Sequence, residues 1–369
     1  MNVLLLILGL VLVIAGADCL VNGAVAVAKR YRMPEFLIGL TIVGIGTSMP
    51  ELVVSLIAGI EGKGGMAIGN VVGSNLANTL LILGAASLIQ PISISPATKR
   101  IDIPYNILVT LVLFFMCFGF TFRHYPTGGV ITWWKGILLL ALFAGYMAYS
   151  FRTAAKGRTE TAQAAETGSR PALWKSVLLI LFGIAGLAFG GRWFVGGASG
   201  IALSLGVSET VIAITMVAVG TSLPELATAI VAAIKGNTQL ALGNVIGSNI
   251  FNICLILGIS SIVAPLDVTG LHPTDILAPL AATLMLLLSV YTFRGQRINR
   301  ADGALFLALY IGSDNRAPNK QCAGRLLKAV LHMLLFSLPP NPAWMKTGLR
   351  PDRPGRKERF PTFRPHRRN

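Results

Sequence analysis

Residues 41–84, "TIVGIGTSMPELVVSLIAGIEGKGGMAIGNVVGSNLANTLLILG", align without a gap to residues 215–258, "TMVAVGTSLPELATAIVAAIKGNTQLALGNVIGSNIFNICLILG", at an offset of 174. Of the 44 paired positions 23 are identical, a density beyond chance for two apolar segments. Each copy carries a carboxylate beside a proline, Glu51 after Pro50 and Glu225 after Pro224. Around the first copy, the run from Phe36 to Ile60 is long enough to cross a bilayer and has Glu51 as its only formal charge.

The whole chain has the same character. Of its 369 residues 54% are hydrophobic and 12% charged, and mean hydropathy is +0.69. A soluble chain carries about twice that charged fraction. The fold class is therefore an all-α integral membrane protein. Apolar runs place helices at 2–27, 35–60, 66–89, 104–122, 129–150, 174–199, 208–234, 239–263 and 274–293, with a tenth beginning near Asp302. Five helices separate equivalent points of the two copies. That odd number makes them cross in opposite senses, an inverted repeat of the kind that builds transporters, with the site expected at the midplane between copies.

This divides the chain into an N-terminal half (1–150), a polar linker (151–173), a C-terminal half (174–312) and a tail (313–369). Basic residues cluster after helix one (Lys29, Arg30, Arg32), after helix three (Lys99, Arg100), in the linker and after helix nine (Arg294, Arg297, Arg300). With the N-terminus outside, these loops share one side, so the linker is cytoplasmic in the cell (inner, plasma) membrane. No Lys or Arg precedes the first apolar run, so it reads as a membrane helix and not a cleaved leader. Cys19, Cys117, Cys254 and Cys322 show no paired spacing, and neither a disulfide framework nor a zinc site is expected.

The net charge of +16 is uneven, because residues 313–369 hold 13 Lys/Arg against 3 Asp/Glu. This Pro- and Arg-rich stretch has no nucleic-acid-binding motif, and no nucleic-acid partner is expected. After Asp302, "GALFLALYIG" offers about ten apolar residues, too few to span a bilayer. The following sequence reads like an unrelated reading frame or a divergent tail.

Within each copy the polar residues fall on shared helix faces. Pro50 cannot donate an amide proton, so the Gly46 carbonyl loses its helical partner, and Pro224 does the same to Gly220. Such a carbonyl at membrane depth belongs where it lines a cavity or binds something. Thr47 and Glu51 share a face, flanked by Ser48; the second copy supplies Thr221, Ser222 and Glu225. Asn70, Ser74 and Asn78 line the next helix at spacings of four, as do Asn244, Ser248 and Asn252. Glycines 69, 73, 243 and 247 let backbones approach closely. All of these side chains offer hard oxygen donors, which suit Ca²⁺ or Na⁺ and not zinc or copper. A buried membrane charge costs about 2.5 kcal/mol or more, so a duplicated glutamate argues for function over packing. Asp18 and Arg192 occupy equivalent positions in helices one and six, as a buried pair or as side chains reaching the interface.

"GTSMPE" with "GNVVGSNLAN", and "GTSLPE" with "GNVIGSNIFN", resemble the two alpha-repeats of the cation/Ca²⁺ exchanger superfamily, in its bacterial and archaeal sodium/calcium exchanger branch. The resemblance covers about residues 1–310 and implies ten helices, alternating access and Ca²⁺/Na⁺ antiport, with the ions as cargo and no resident cofactor. By position it makes Glu51 and Glu225 the central carboxylates. Thr47, Ser48, Ser74 and Asn78 complete one half-site, and Thr221, Ser222, Ser248 and Asn252 the other. A proton in place of Na⁺ is the nearest alternative, a cation channel a more distant one. An intramembrane enzyme is least favoured, since the chain has no HExxH, no phosphate loop and no histidine within the repeats. Oligomeric state has no signature in the sequence.

Some relatives, including those that co-transport K⁺, place Asp where Asn252 stands. Asn252 removes one negative charge, so Ca²⁺ uptake into vesicles is expected to be the same with and without K⁺; a strict K⁺ requirement refutes this reading.

Overall fold

The computed structural model describes residues 1–119, 129–161, 172–204, 209–292 and 297–314, with only the backbone course for 156–161, 209–219, 292 and 313–314. The linker residues 162–171 and the tail from 315 lie outside the described residues.

The described chain is helical apart from two short strand pairs. The first half holds α1 (Asn2–Tyr31), α2 in two segments (Glu35–Thr47 and Met49–Ile60), α3 (Gly64–Ile89), α4 (Thr98–Phe118) and α5 (Trp133–Thr161). The second holds α6 (Leu173–Ser204), α7 (Glu209–Ile234), α8 (Thr238–Val263), α9 (Pro273–Thr292) and α10 (Arg300–Asp314). Among the described residues seven helices are long and apolar enough to cross a membrane, and the bent pair in α2 is an eighth. The described part of α10 has 15 residues, or about 22 Å of length.

The layering shows in which helices are buried on all sides. Buried positions make up 78% of an apolar 18-residue stretch of α3 and 83% of one of α8, against 28% in α1, 22% in α6 and 11% in α5. So α3 and α8 form the centre, while α1, α5 and α6 turn side chains such as Ile7, Trp133, Phe182 and Phe189 outward. An exterior this apolar is what a lipid-facing surface requires.

Equivalent helices run in opposite directions. Gly9, Gly16 and Gly23 on α1 recur every seven residues and correspond at the offset of 174 to Gly183, Gly190 and Gly197 on α6. Gly9 meets Gly190 and Phe194, Gly16 meets Gly183 and Leu187, and Gly23 meets Ser176 and Ile180. Contacts that descend along one helix while ascending the other make the pair antiparallel, which is the inversion itself. Small residues let the two backbones touch where lipid supplies no hydrophobic drive.

The strand pairs tie the loops to two ends. The β1 strand (Ile92–Ser93) pairs with β4 (Arg297–Ile298), and β2 (Val130–Ile131) pairs with β3 (Leu266–Asp267). At the β1–β4 end Lys99 lies over the Tyr291 ring, and Arg300 donates to the Ile89 carbonyl.

Two expectations change. Residues 151–161, placed in the polar linker, continue α5 as helix, because Ala154, Ala155, Lys156 and Arg158 are good helix formers and no proline interrupts them. Asp18 does not pair with Arg192, which is exposed. It binds Lys235 at 2.5 Å and accepts from Asn22 at 2.9 Å. The close approach expected of the glycines is seen on α8, where Gly243 packs on the Phe36 backbone and Gly247 on that of Leu40.

A methyl group at Gly16 would lie 2.7 Å from the Leu187 nitrogen, which neither backbone can yield. Gly16→Ala is expected to cost about 1–3 kcal/mol, seen as a lower melting temperature in detergent. Gly196→Ala, in open space on α6, should be neutral or stabilising in the same assay.

Candidate cation site

The two "GTS-P-E" motifs meet at the centre. In α2 the helix breaks at Ser48 (φ −85°, ψ 7°), and the two segments are bent by 48°. Pro50 occupies the first turn of the second segment, where a missing amide proton costs nothing. Glu51 follows in that first turn. Its counterpart Pro224 instead lies inside an unbroken α7. Both glutamates are 1% exposed.

Each motif serves the other repeat. Ser48 Oγ donates to Glu225 Oε1 at 3.1 Å, and the Thr47 hydroxyl also lies beside Glu225. In mirror fashion, the Thr221 and Ser222 hydroxyls lie beside Glu51. Thr47 Oγ1 lies 3.3 Å from Asn244 Oδ1 and 3.4 Å from the Gly44 carbonyl. Ser222 Oγ donates to Ser74 Oγ at 3.4 Å, joining α7 to α3. All ten residues singled out from the sequence are buried.

The hydrogen bonding is incomplete. Glu51 Oε2, Glu225 Oε2, Asn78 Oδ1, Asn252 Oδ1, Thr221 Oγ1 and Ser248 Oγ are buried and have no hydrogen-bond partner. Leaving such a group unpaired costs about 1–3 kcal/mol each. The set holds six oxygens from the two repeats. Asn244 Nδ2 is the one unpaired nitrogen of these motifs. Among the described residues no three His, Cys, Asp or Glu side chains gather, so the donor set fits a hard cation held largely by neutral oxygens.

Sequence reasoning placed Asn70 and Asn244 in the same rows, and their surroundings differ. Asn70 Nδ2 donates to Ser55 Oγ at 3.0 Å, while Asn244 packs beside Gly39 and accepts from Thr47. It missed Asn75 and Asn249, both buried and bridging the repeats. The signal was present: the two asparagines match at the offset of 174, but each stands one position off the face that carries the serines. Two π-helical segments, Ala77–Ile82 in α3 and Phe251–Ile256 in α8, follow these asparagines at mirrored positions. Such segments concentrate at functional sites.

The sodium/calcium exchanger protein family model matches residues 1–152 and 175–313, that is, both halves. The chain belongs to this family. It is 38% identical over 313 residues to the putative antiporter CaxA of Alkalimonas amylolytica, covering 83% of this chain and 95% of that one. It is 34% identical over 348 residues to the sodium/calcium exchanger MaX1 of Methanosarcina acetivorans, covering 84% and 96%. A solved structure of the sodium-calcium exchanger NCX_Mj superposes with a TM-score of 0.71 at 32% identity, covering 84% of this chain and 96% of that one. This exchanger-family chain is thus a multi-pass, all-α membrane protein whose two halves both match the family.

Ser48→Ala removes the donor to a buried carboxylate oxygen. It should lower unfolding stability by about 1–3 kcal/mol in thermal melts, and a variant as stable as the parent would remove the bond from the account of the site.

Proposed function

We propose that the chain is a secondary antiporter that exchanges Ca²⁺ for Na⁺ by alternating access, binding its ions between the two repeats. The observation that carries this reading is the set of six buried, unpaired oxygens contributed by both repeats. Ca²⁺ takes 6–8 oxygen ligands, so two half-sites can supply one ion between them. Glu51 and Glu225 provide the charge; Thr47, Ser48, Ser74, Asn78, Thr221, Ser222, Ser248 and Asn252 provide the neutral oxygens. Na⁺ takes the same hard donors and competes for them. Relatives named as antiporter and sodium/calcium exchanger agree with transport, not covalent chemistry, as the function.

The same reading assigns sides. The β1–β4 end gathers the basic loops, so it is the cytoplasmic end in the cell membrane, with the N-terminus outside and the linker inside. On that side Gly247 of α8 packs on Leu40 of α2. Alternating access requires this contact to open as its counterpart on the other side closes.

The test is ⁴⁵Ca²⁺ uptake into vesicles under separate Na⁺, H⁺ and K⁺ gradients. Uptake is expected with the Na⁺ gradient, and Glu51→Gln and Glu225→Gln should each abolish it. Flux retained in both variants overturns the site. Flux driven by a pH gradient without Na⁺ reassigns the counter-ion to H⁺, and single-channel currents would make the protein a channel.

A further inference from the structure

An asparagine beside a cation path is useful only if its oxygen, and not its NH₂, is turned to the ion. The two atoms have the same shape and opposite polarity, so something outside the path must decide between them. In this protein the deciding bonds can be followed back to backbone carbonyls. Asn75 Nδ2 donates to the Asn249 carbonyl at 3.1 Å. A carbonyl only accepts, so Asn75 must give it the nitrogen and turn its own Oδ1 the other way. That Oδ1 accepts from Asn252 Nδ2 at 3.0 Å, which leaves Asn252 Oδ1 unpaired.

The mirror chain starts at the other repeat. Thr79 Oγ1 commits its proton to the Asn75 carbonyl at 3.0 Å and can then only accept from Asn249 Nδ2, also at 3.0 Å. Asn249 Oδ1 is left to accept from Asn78 Nδ2 at 3.0 Å, and Asn78 Oδ1 is unpaired in turn. Asn75, Asn78, Asn249 and Asn252 are all at least 97% buried, so water does not compete for these bonds.

We infer that Asn75 and Asn249 are positioning residues, each of which orients the amide of a site asparagine in the opposite repeat so that its oxygen is offered to the cation. Neither touches the ion. Because each belongs to one repeat and acts on the other, the oxygens of both half-sites stay aimed only while α3 and α8 remain in register. This rests on the proposed cation-exchange reading, and concerns residues that reading leaves out.

The experiment uses the purified full chain, with ⁴⁵Ca²⁺ uptake and Ca²⁺-dependent thermal stabilisation measured side by side. Asn75→Ala frees the Asn252 amide to rotate and should raise the Ca²⁺ half-saturation concentration about tenfold or more, with the maximal rate little changed. In an Asn252→Asp background the side chain has two oxygens and no NH₂, so nothing needs orienting. There Asn75→Ala should shift half-saturation by less than about twofold. Asn249→Ala should behave the same way, with the dependence relieved by Asn78→Asp, and this second pair serves if Asn75→Ala does not fold. Unchanged half-saturation in both alanine variants, or a loss of equal size in the Asp backgrounds, overturns the inference and makes the asparagines plain interhelical glue. A parent chain that neither takes up nor is stabilised by Ca²⁺ or Na⁺ overturns the function as well, which separates the two failures.

Discussion

The hydrogen bond from Ser48 to Glu225, 3.1 Å long and 1% exposed at the carboxylate, shows the constraint on which the rest of the structure depends. A carboxylate buried at membrane depth cannot turn to water and needs donors or cations supplied by protein. Here the donor to Glu225 comes from the other repeat, and hydroxyls of the other repeat lie beside Glu51. Neither half can shelter its own charge alone. The pairing of the two halves is therefore part of the site's chemistry as much as of the fold.

The two copies meet that requirement differently: in α2 the hydroxyls stand at a break with a 48° bend, and in α7 they project from an unbroken helix. The glycines of α1 and α6 bring those helices into backbone contact at the edge, and Gly247 brings α8 onto α2 near the centre. Close approach lets short side chains such as serine and threonine bridge between helices without long, floppy reach.

The partial satisfaction of the site is equally informative. Two carboxylate oxygens, two amide oxygens and two hydroxyls of the motifs have no partner. A site meant for packing would pair them. The asparagine chains tie down the NH₂ ends of Asn78 and Asn252 and leave their oxygens open.

Much of this was legible in the residues alone. The gapless repeat, the odd number of helices between copies and the duplicated glutamates dictate an inverted membrane fold and point to Glu51 and Glu225, because periodicity and the cost of buried charge act locally; the family resemblance adds the other eight candidate residues. Other features depend on residues far apart in the chain. Which hydroxyl serves which glutamate, the crossed asparagine bonds between positions 171 and 177 residues apart and the Asp18–Lys235 pair were all open in the sequence. The repeats match so closely that the sequence treats their halves as equivalent. Only the packed molecule breaks that equivalence: α2 is broken and bent at Ser48, whereas its counterpart α7 runs unbroken through Pro224, because each helix takes its course from neighbours remote in the chain.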